Sequence, residues 1–153
     1  MSILIVLRLR GEINRRTKVR EILRRLNLPS KYSATLVNDS PSMLGMLETA
    51  SNSIAWFKAD KELLLKLLHA RGRATGSKAL TDEVLKKIGL DIEKTVDDLI
   101  SEKIKFSDIK TIKPFFRLAP PKGGFKASLR KNFGSGGLLG ENPDLPKLIE
   151  RML

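Results

Sequence analysis

Cysteine is absent from the 153 residues and histidine occurs once, as His69. Without cysteine there is no disulfide framework, no thiolate nucleophile and no cysteine-based zinc site, and one imidazole is too few for a histidine metal cluster. Long apolar runs are also missing. The longest, Ile3–Leu7 and the stretch Leu63–Leu68 around Lys66, fall far below the roughly 20 residues that cross a bilayer. The opening "MSILIVLRLRG" has no basic residue before its apolar run and reaches Arg8 early, so it reads as a strand rather than a signal peptide. A cytoplasmic protein without a membrane partner is expected.

Catalytic sets are missing as well. The carboxylates fall mostly at helix starts and on solvated faces, His69 lies among leucines in "LLKLLHARG", and no acid–base or nucleophilic group assembles. The late glycines Gly134, Gly136, Gly137 and Gly140 space as G-x-G-G-x-x-G, which fits neither a dinucleotide fingerprint nor a phosphate loop. No enzyme, cofactor, metal or small-molecule substrate is expected.

What the chain does have is positive charge. Lys and Arg number 29 against 17 Asp and Glu, a net of +12, which argues for a polyanionic partner. The charge is segregated: residues 1–31 carry nine bases and two acids, residues 109–140 seven bases and no acid, and residues 81–108 eight acids and five bases. Segregation points to a binding surface, with the acidic middle turned toward solvent or a basic protein.

The chain is long enough for one core with an appendage and short for two full domains. In "SILIVLRLR", Ile3, Ile5, Leu7 and Leu9 share one face and Leu4, Val6, Arg8 and Arg10 the other, the two-residue period of a strand. Thr17 then opens a helix with Val19, Ile22, Leu23 and Leu26 on its apolar side. A second strand over 32–37, a helix capped by Ser40 and a third strand in "SIAWFKA" complete an α+β unit: three strands with two helices covering one face. Asp60, Thr81 and Asp91 start further helices. Because this pattern closes before residue 60, the glycine-rich stretch 119–140 is expected to add little to core stability.

Three basic clusters are candidates for nucleic-acid contact. Arg8, Arg10, Arg15, Arg16 and Lys18 crowd the end of the first strand and the start of the first helix. Arg71, Arg73 and Lys78 are spaced by Gly72 and Gly76, glycines that suit close backbone approach to RNA and equally suit the end of a helix. Lys122, Lys126, Arg130 and Lys131 alternate with Phe125 and Phe133, whose rings either stack on bases or anchor the segment in the protein.

The segments "ILIVLRLRG", "NDSPSMLGMLETASNSIAW", "ARGRATGSKALTDE" and "FRLAPPKGGFK", with "FGSGGLLG" and "LIERML" after them, together resemble the archaeal and eukaryotic form of the large-subunit ribosomal protein thirty family. The Pro-Pro-Lys-Gly-Gly element at 120–124, the Gly-Gly at 136 and 137 and the Leu-Ile-Glu-Arg-Met ending are the most specific points. The resemblance implies a ferredoxin-like three-stranded antiparallel sheet with two covering helices as a core domain, residues 1–58. It also implies a helical and Gly-rich basic C-terminal extension, residues 59–153. It further implies a non-enzymatic place in the large subunit, among neighbouring ribosomal proteins and on 23S ribosomal RNA near the 5S RNA region, with the three basic clusters facing RNA. The lack of a long basic N-terminal extension favours an archaeal member, and the absence of glutamine and cysteine suits a thermophile. A free RNA-binding regulator or RNA chaperone is the alternative.

Overall fold

Apolar side chains on both sides of one strand require cover on both sides, and in the computed structural model, which describes residues 2–89, 91–101 and 103–153, that strand lies inside a sheet. It is β1 (Ile3–Arg8), buried along its whole length. The chain continues through α1 (Thr17–Arg25), β2 (Ser33–Asn38), α2 (Pro41–Thr49) and β3 (Ile54–Lys58). β1 pairs antiparallel with both neighbouring strands, so that Val6 lies opposite Thr35 on β2 and Trp56 on β3. Ser40 caps α2 as its sequence position requires, its hydroxyl accepting from the Met43 N–H at 3.3 Å. Thr17 does not cap α1: it is already helical, and Arg16 holds the cap position without a side-chain bond.

The fold is α+β, but its sheet has six strands where the sequence pattern suggests three. β4 (Phe116–Arg117), β5 (Ser128–Asn132) and β6 (Gly137–Glu141) extend it in the order β4-β2-β1-β3-β6-β5. β6 lies parallel to β3, with Ala55 opposite Gly140, and β5 lies parallel to β6 across a register shift. The link between β5 and β6 is far shorter than an ordinary parallel crossover and turns through Gly134 and Gly136, both at positive φ. At Gly137 a Cβ would sit 1.8 Å from the Lys131 carbonyl oxygen, so only glycine lets the two backbones approach this closely.

Nor is one face left open. Leu4, Val6, Val37 and Trp56 pack on Ile22, Leu23 and Leu47 of α1 and α2, as the pattern predicts. The row Ile3, Ile5 and Leu7 on the other face is covered by α3 (Lys61–Arg71), α5 (Ile92–Ile100) and α6 (Leu145–Met152), through residues such as Leu64, Leu67, Val96 and Ile149. The stacked rings of Phe106 and Phe116, 5.1 Å apart, complete this second core. α4 (Asp82–Ile88) joins the outer helices. Sheet and core therefore both cross residue 58.

The expectation that residues 119–140 add little to core stability does not fit the way they pack. Leu139 is 1% exposed in the second core. Arg151 of α6 donates to the carbonyls of Lys122 (2.8 Å) and Gly124 (2.5 Å), clamping the Pro-Pro-Lys-Gly-Gly turn. Phe125 stacks on Tyr32 at 5.8 Å. Glycine here shapes a docked segment, and the protein itself supplies the contacts that order it. Replacing Leu139 by alanine is expected to lower the unfolding free energy by about 2–5 kcal/mol, as for a buried leucine elsewhere; chemical denaturation measures this, and an unchanged midpoint would return the segment to the periphery.

Candidate nucleic-acid interface

One end of the sheet collects the cations. The Tyr32 N–H donates to the Arg8 carbonyl at 2.8 Å, and the Tyr32 carbonyl accepts from the Leu118 N–H at 3.0 Å. Ser33 lies opposite Arg117 in the β2–β4 register. The backbone amides of Leu9 and Arg10 both donate to the Ser53 carbonyl. These bonds bring Arg10, Lys31 and Arg117 to the same edge, and the Phe125–Tyr32 stack adds the turn bearing Lys122 and Lys126. Lys31 lies over the Tyr32 ring at 4.9 Å. Two of the three sequence clusters thus converge, and Arg117 links them to the third.

Arg8 must be taken off the contact surface. It is 3% exposed, and its guanidinium faces inward, Nη1 donating to the Leu28 carbonyl at 2.7 Å and Nε to the Arg10 carbonyl at 3.0 Å. Burial pushes its pKa below the ordinary arginine value. It works as a strut that fixes where Arg10 leaves the strand. Alternation alone places Arg8 and Arg10 on one face, but the turn back from α1 covers the first and leaves the second half-exposed.

Arg15 is the opposite case. Its pKa is lowered by burial first, then by the charges of Arg10 and Arg8, and its Nε is buried without a hydrogen-bond partner. Glu12 at the same corner pairs with Arg20 and offsets Arg8 in part, but the charges that act on Arg15 are those of Arg10 and Arg8, and an anion at this corner relieves them. Arg16 and Lys18 stand exposed beside it.

In the second cluster Arg71 is half-buried and donates to the Leu153 carbonyl at 2.7 Å, while Arg73 and Lys78 are exposed on a tight turn closed by the Ala74 N–H to Lys78 carbonyl bond. Three residues not singled out from the charge pattern lie against this turn: Lys113, Phe115 and Arg117. The alternation of cation and ring in "KPFFR" is the signal that points to them. Arg130 and Lys131 do not join the common end. They are exposed on β5, the opposite edge strand from β4, with Phe133 beside them still 42% exposed.

Among the described residues, none of the twelve candidate cations pairs with an Asp or Glu side chain. The pairs that form are Arg20–Glu12, Lys61–Asp97, Lys66–Glu150, Lys94–Asp91, Lys103–Asp98 and Lys147–Asp144. Three acids of the 81–108 segment, Asp91, Asp97 and Asp98, are thus neutralised by Lys94, Lys61 and Lys103. A wide depression of about 650 Å³ beside α4 and α5 mixes Lys86 and Lys94 with Asp91 and Glu93, so it does not select an anion. Among the described residues no three His, Asp or Glu side chains converge to hold a metal, and no helix is long and apolar enough to cross a membrane. Cations without an acidic partner at the sheet end suit phosphate oxygens, which accept from arginine in a fork and from lysine as a point charge.

Comparison with known proteins shows which sequences this chain is similar to. Residues 4–52 match the family described as ribosomal protein L30p/L7e. The large ribosomal subunit protein uL30 of Thermofilum pendens is 45% identical over 156 residues, covering 100% of both chains. Those of Ignicoccus hospitalis and Cenarchaeum symbiosum are 39% and 37% identical, each over 97% of this chain.

The two kinds of arginine at the corner separate by mutation. Arg8→Ala is expected to lower stability by about 2–4 kcal/mol, because two carbonyls lose a charged donor inside the protein. Arg16→Ala, at an exposed site, is expected to change it by less than about 0.5 kcal/mol. Thermal and denaturant unfolding of both variants measure the difference, and equal effects would contradict the inward role of Arg8.

Proposed function

The chain belongs to the ribosomal protein L30p/L7e family, and we propose that it is built into the large subunit of an archaeal cytoplasmic ribosome, where it binds and stabilises folded ribosomal RNA. It is a structural component and not an enzyme. Its place is on 23S RNA near the 5S region, among neighbouring large-subunit proteins. In this reading residues 1–58 form a ferredoxin-like core domain, and residues 59–153 are the extension that closes its second face and carries two of the three RNA-facing clusters.

One observation carries the RNA reading: the sheet end gathers arginines and lysines that, Arg20 apart, pair with no Asp or Glu among the described residues, while acids elsewhere in the chain are paired with other lysines. Such a surface is unfavourable alone and becomes favourable when phosphates replace the missing counter-charge and release their own bound cations. Arg10, Arg15, Arg16 and Lys18 at the corner, Arg73 and Lys78 on the turn, and Lys122 and Lys126 at the clamped loop grip the backbone. Arg130 and Lys131 make a second contact at the far edge. The 81–108 segment turns away from RNA, toward solvent or a basic protein.

Simultaneous alanine substitution of Arg15, Arg16 and Lys18 is expected to weaken binding to cognate and unrelated structured RNA alike. It should reduce the slope of log affinity against log salt by roughly 2–3 units, the loss of about three phosphate contacts. An unchanged slope would remove these residues from the interface. In a sucrose gradient at moderate salt the chain is expected to sediment with the large subunit; recovery only at the top would favour a free RNA regulator instead.

A further inference from the structure

The turn bearing Arg73 and the strand bearing Arg117 enclose a cleft of about 210 Å³ lined by Arg71, Arg73, Ser77, Lys113, Phe115 and Arg117. Four of the six are cations and none is an acid. Its walls are fixed by backbone bonds: the Lys113 N–H donates to the Arg73 carbonyl at 2.9 Å, the Thr75 N–H to the Thr111 carbonyl at 3.0 Å, and Ala74 bridges Ile112. Lys113 Nζ donates to the Ser77 hydroxyl at 2.5 Å, tying the rim of one wall to the other. Between Phe115 and Arg117, Phe116 is fully buried. Phe115, in the bend that precedes β4, and Arg117 on β4 both line the cleft. Phe115 is half-buried, and the Arg117 guanidinium lies 5.9 Å from the centre of its ring.

Charge of one sign selects an anion, and an accessible ring with a planar guanidinium selects a flat, π-rich group. The volume is below the roughly 300–1,000 Å³ of sites that engulf a whole small-molecule ligand. A double helix cannot enter it. We propose that this cleft seats a single nucleotide extruded from the RNA, its phosphate among Arg73, Lys113 and Arg117 and its base against Phe115. The inference rests on the RNA reading above and adds to it a preference for unpaired over paired RNA at one point of the surface. Phosphate contacts at the sheet end set position; the cleft reads whether a base is free to leave its stack.

The test uses the full chain and two RNA hairpins, one fully paired and one with a single bulged 2-aminopurine. The bulged hairpin is expected to bind about tenfold more tightly, within the range that stacking on an aromatic ring gives, with a change in 2-aminopurine fluorescence. Phe115→Leu is expected to abolish the preference and the fluorescence change while leaving affinity for the paired hairpin intact, and Phe115→Tyr to restore both. Arg73→Ala, at an exposed position, is expected to weaken the bulged hairpin more than the paired one, which keeps the test valid should the Phe115→Leu change disturb folding. Equal affinity of the wild-type chain for the two hairpins would overturn the nucleotide seat and leave the RNA reading standing. Binding to neither would overturn both. Displacement of the bulged hairpin by polyglutamate as readily as by uridine monophosphate would show a cleft that senses charge alone, and would also overturn the seat.

Discussion

Everything in this molecule follows from a strand that is apolar on both faces. β1 sends Ile3, Ile5 and Leu7 one way and Leu4 and Val6 the other, and all are buried. Fully burying an aliphatic side chain contributes about 1.5–3 kcal/mol, so leaving either row in water would forfeit several such increments in a protein whose net stability is small. α1 and α2 cover one row from within the first sixty residues. No residue of that unit is left to cover the other, and the extension does so with α3, α5, α6 and the Phe106–Phe116 stack. The extension is therefore a structural necessity of the first strand before it is a source of binding residues.

Cover and binding are divided by charge. On the helices that shield the second row, Asp97 meets Lys61 and Glu150 meets Lys66 across element boundaries, and the Glu150 contact raises the Lys66 pKa. These exposed pairs add little energy, but they leave that side close to neutral. The sheet end receives less compensation: Glu12 pairs with Arg20 and offsets Arg8 in part, and Arg10, Arg15, Arg16 and Lys18 pair with no Asp or Glu among the described residues. Arg8 uses its guanidinium on the carbonyls of Arg10 and Leu28, which fixes where Arg10 leaves the strand. Like charges fixed in place lose little further freedom when an anion arrives, which favours affinity.

Periodicity made the first three strands and their helices legible, because Ile3–Leu9 and the stripe Val19, Ile22, Leu23 and Leu26 are long enough to show a period of two and of 3.6. β4, β5 and β6 were illegible for identifiable reasons. β4 has two residues, β5 is polar in "SLRKN", and β6 reads "GLLGE", where glycine and leucine replace the branched residues that mark strands. Their pairing is decided by partners distant in sequence. The clusters of cations were visible as composition, but which of them reach solvent was not: Arg8 and Arg10 share a face by alternation and differ in fate because the return from α1 covers one. The Phe115–Arg117 pair escaped notice because a Phe-Phe dipeptide reads as core, and only the fold shows that its first ring turns outward.

The ladder joining Ala55 to Gly140 has a kinetic meaning. Closing so long a loop carries an entropic cost that is met only after local pairings have formed, so β6 is among the last elements to dock. The turn held by Arg151 and the stack of Phe125 on Tyr32 depend on that docking. A chain that has folded only its first sixty residues carries the corner cations but lacks the clamped loop and the cleft, and would grip RNA weakly. Assembly on RNA can thereby discriminate finished molecules from unfinished ones, since the complete grip exists only once the most distant parts of the chain have met.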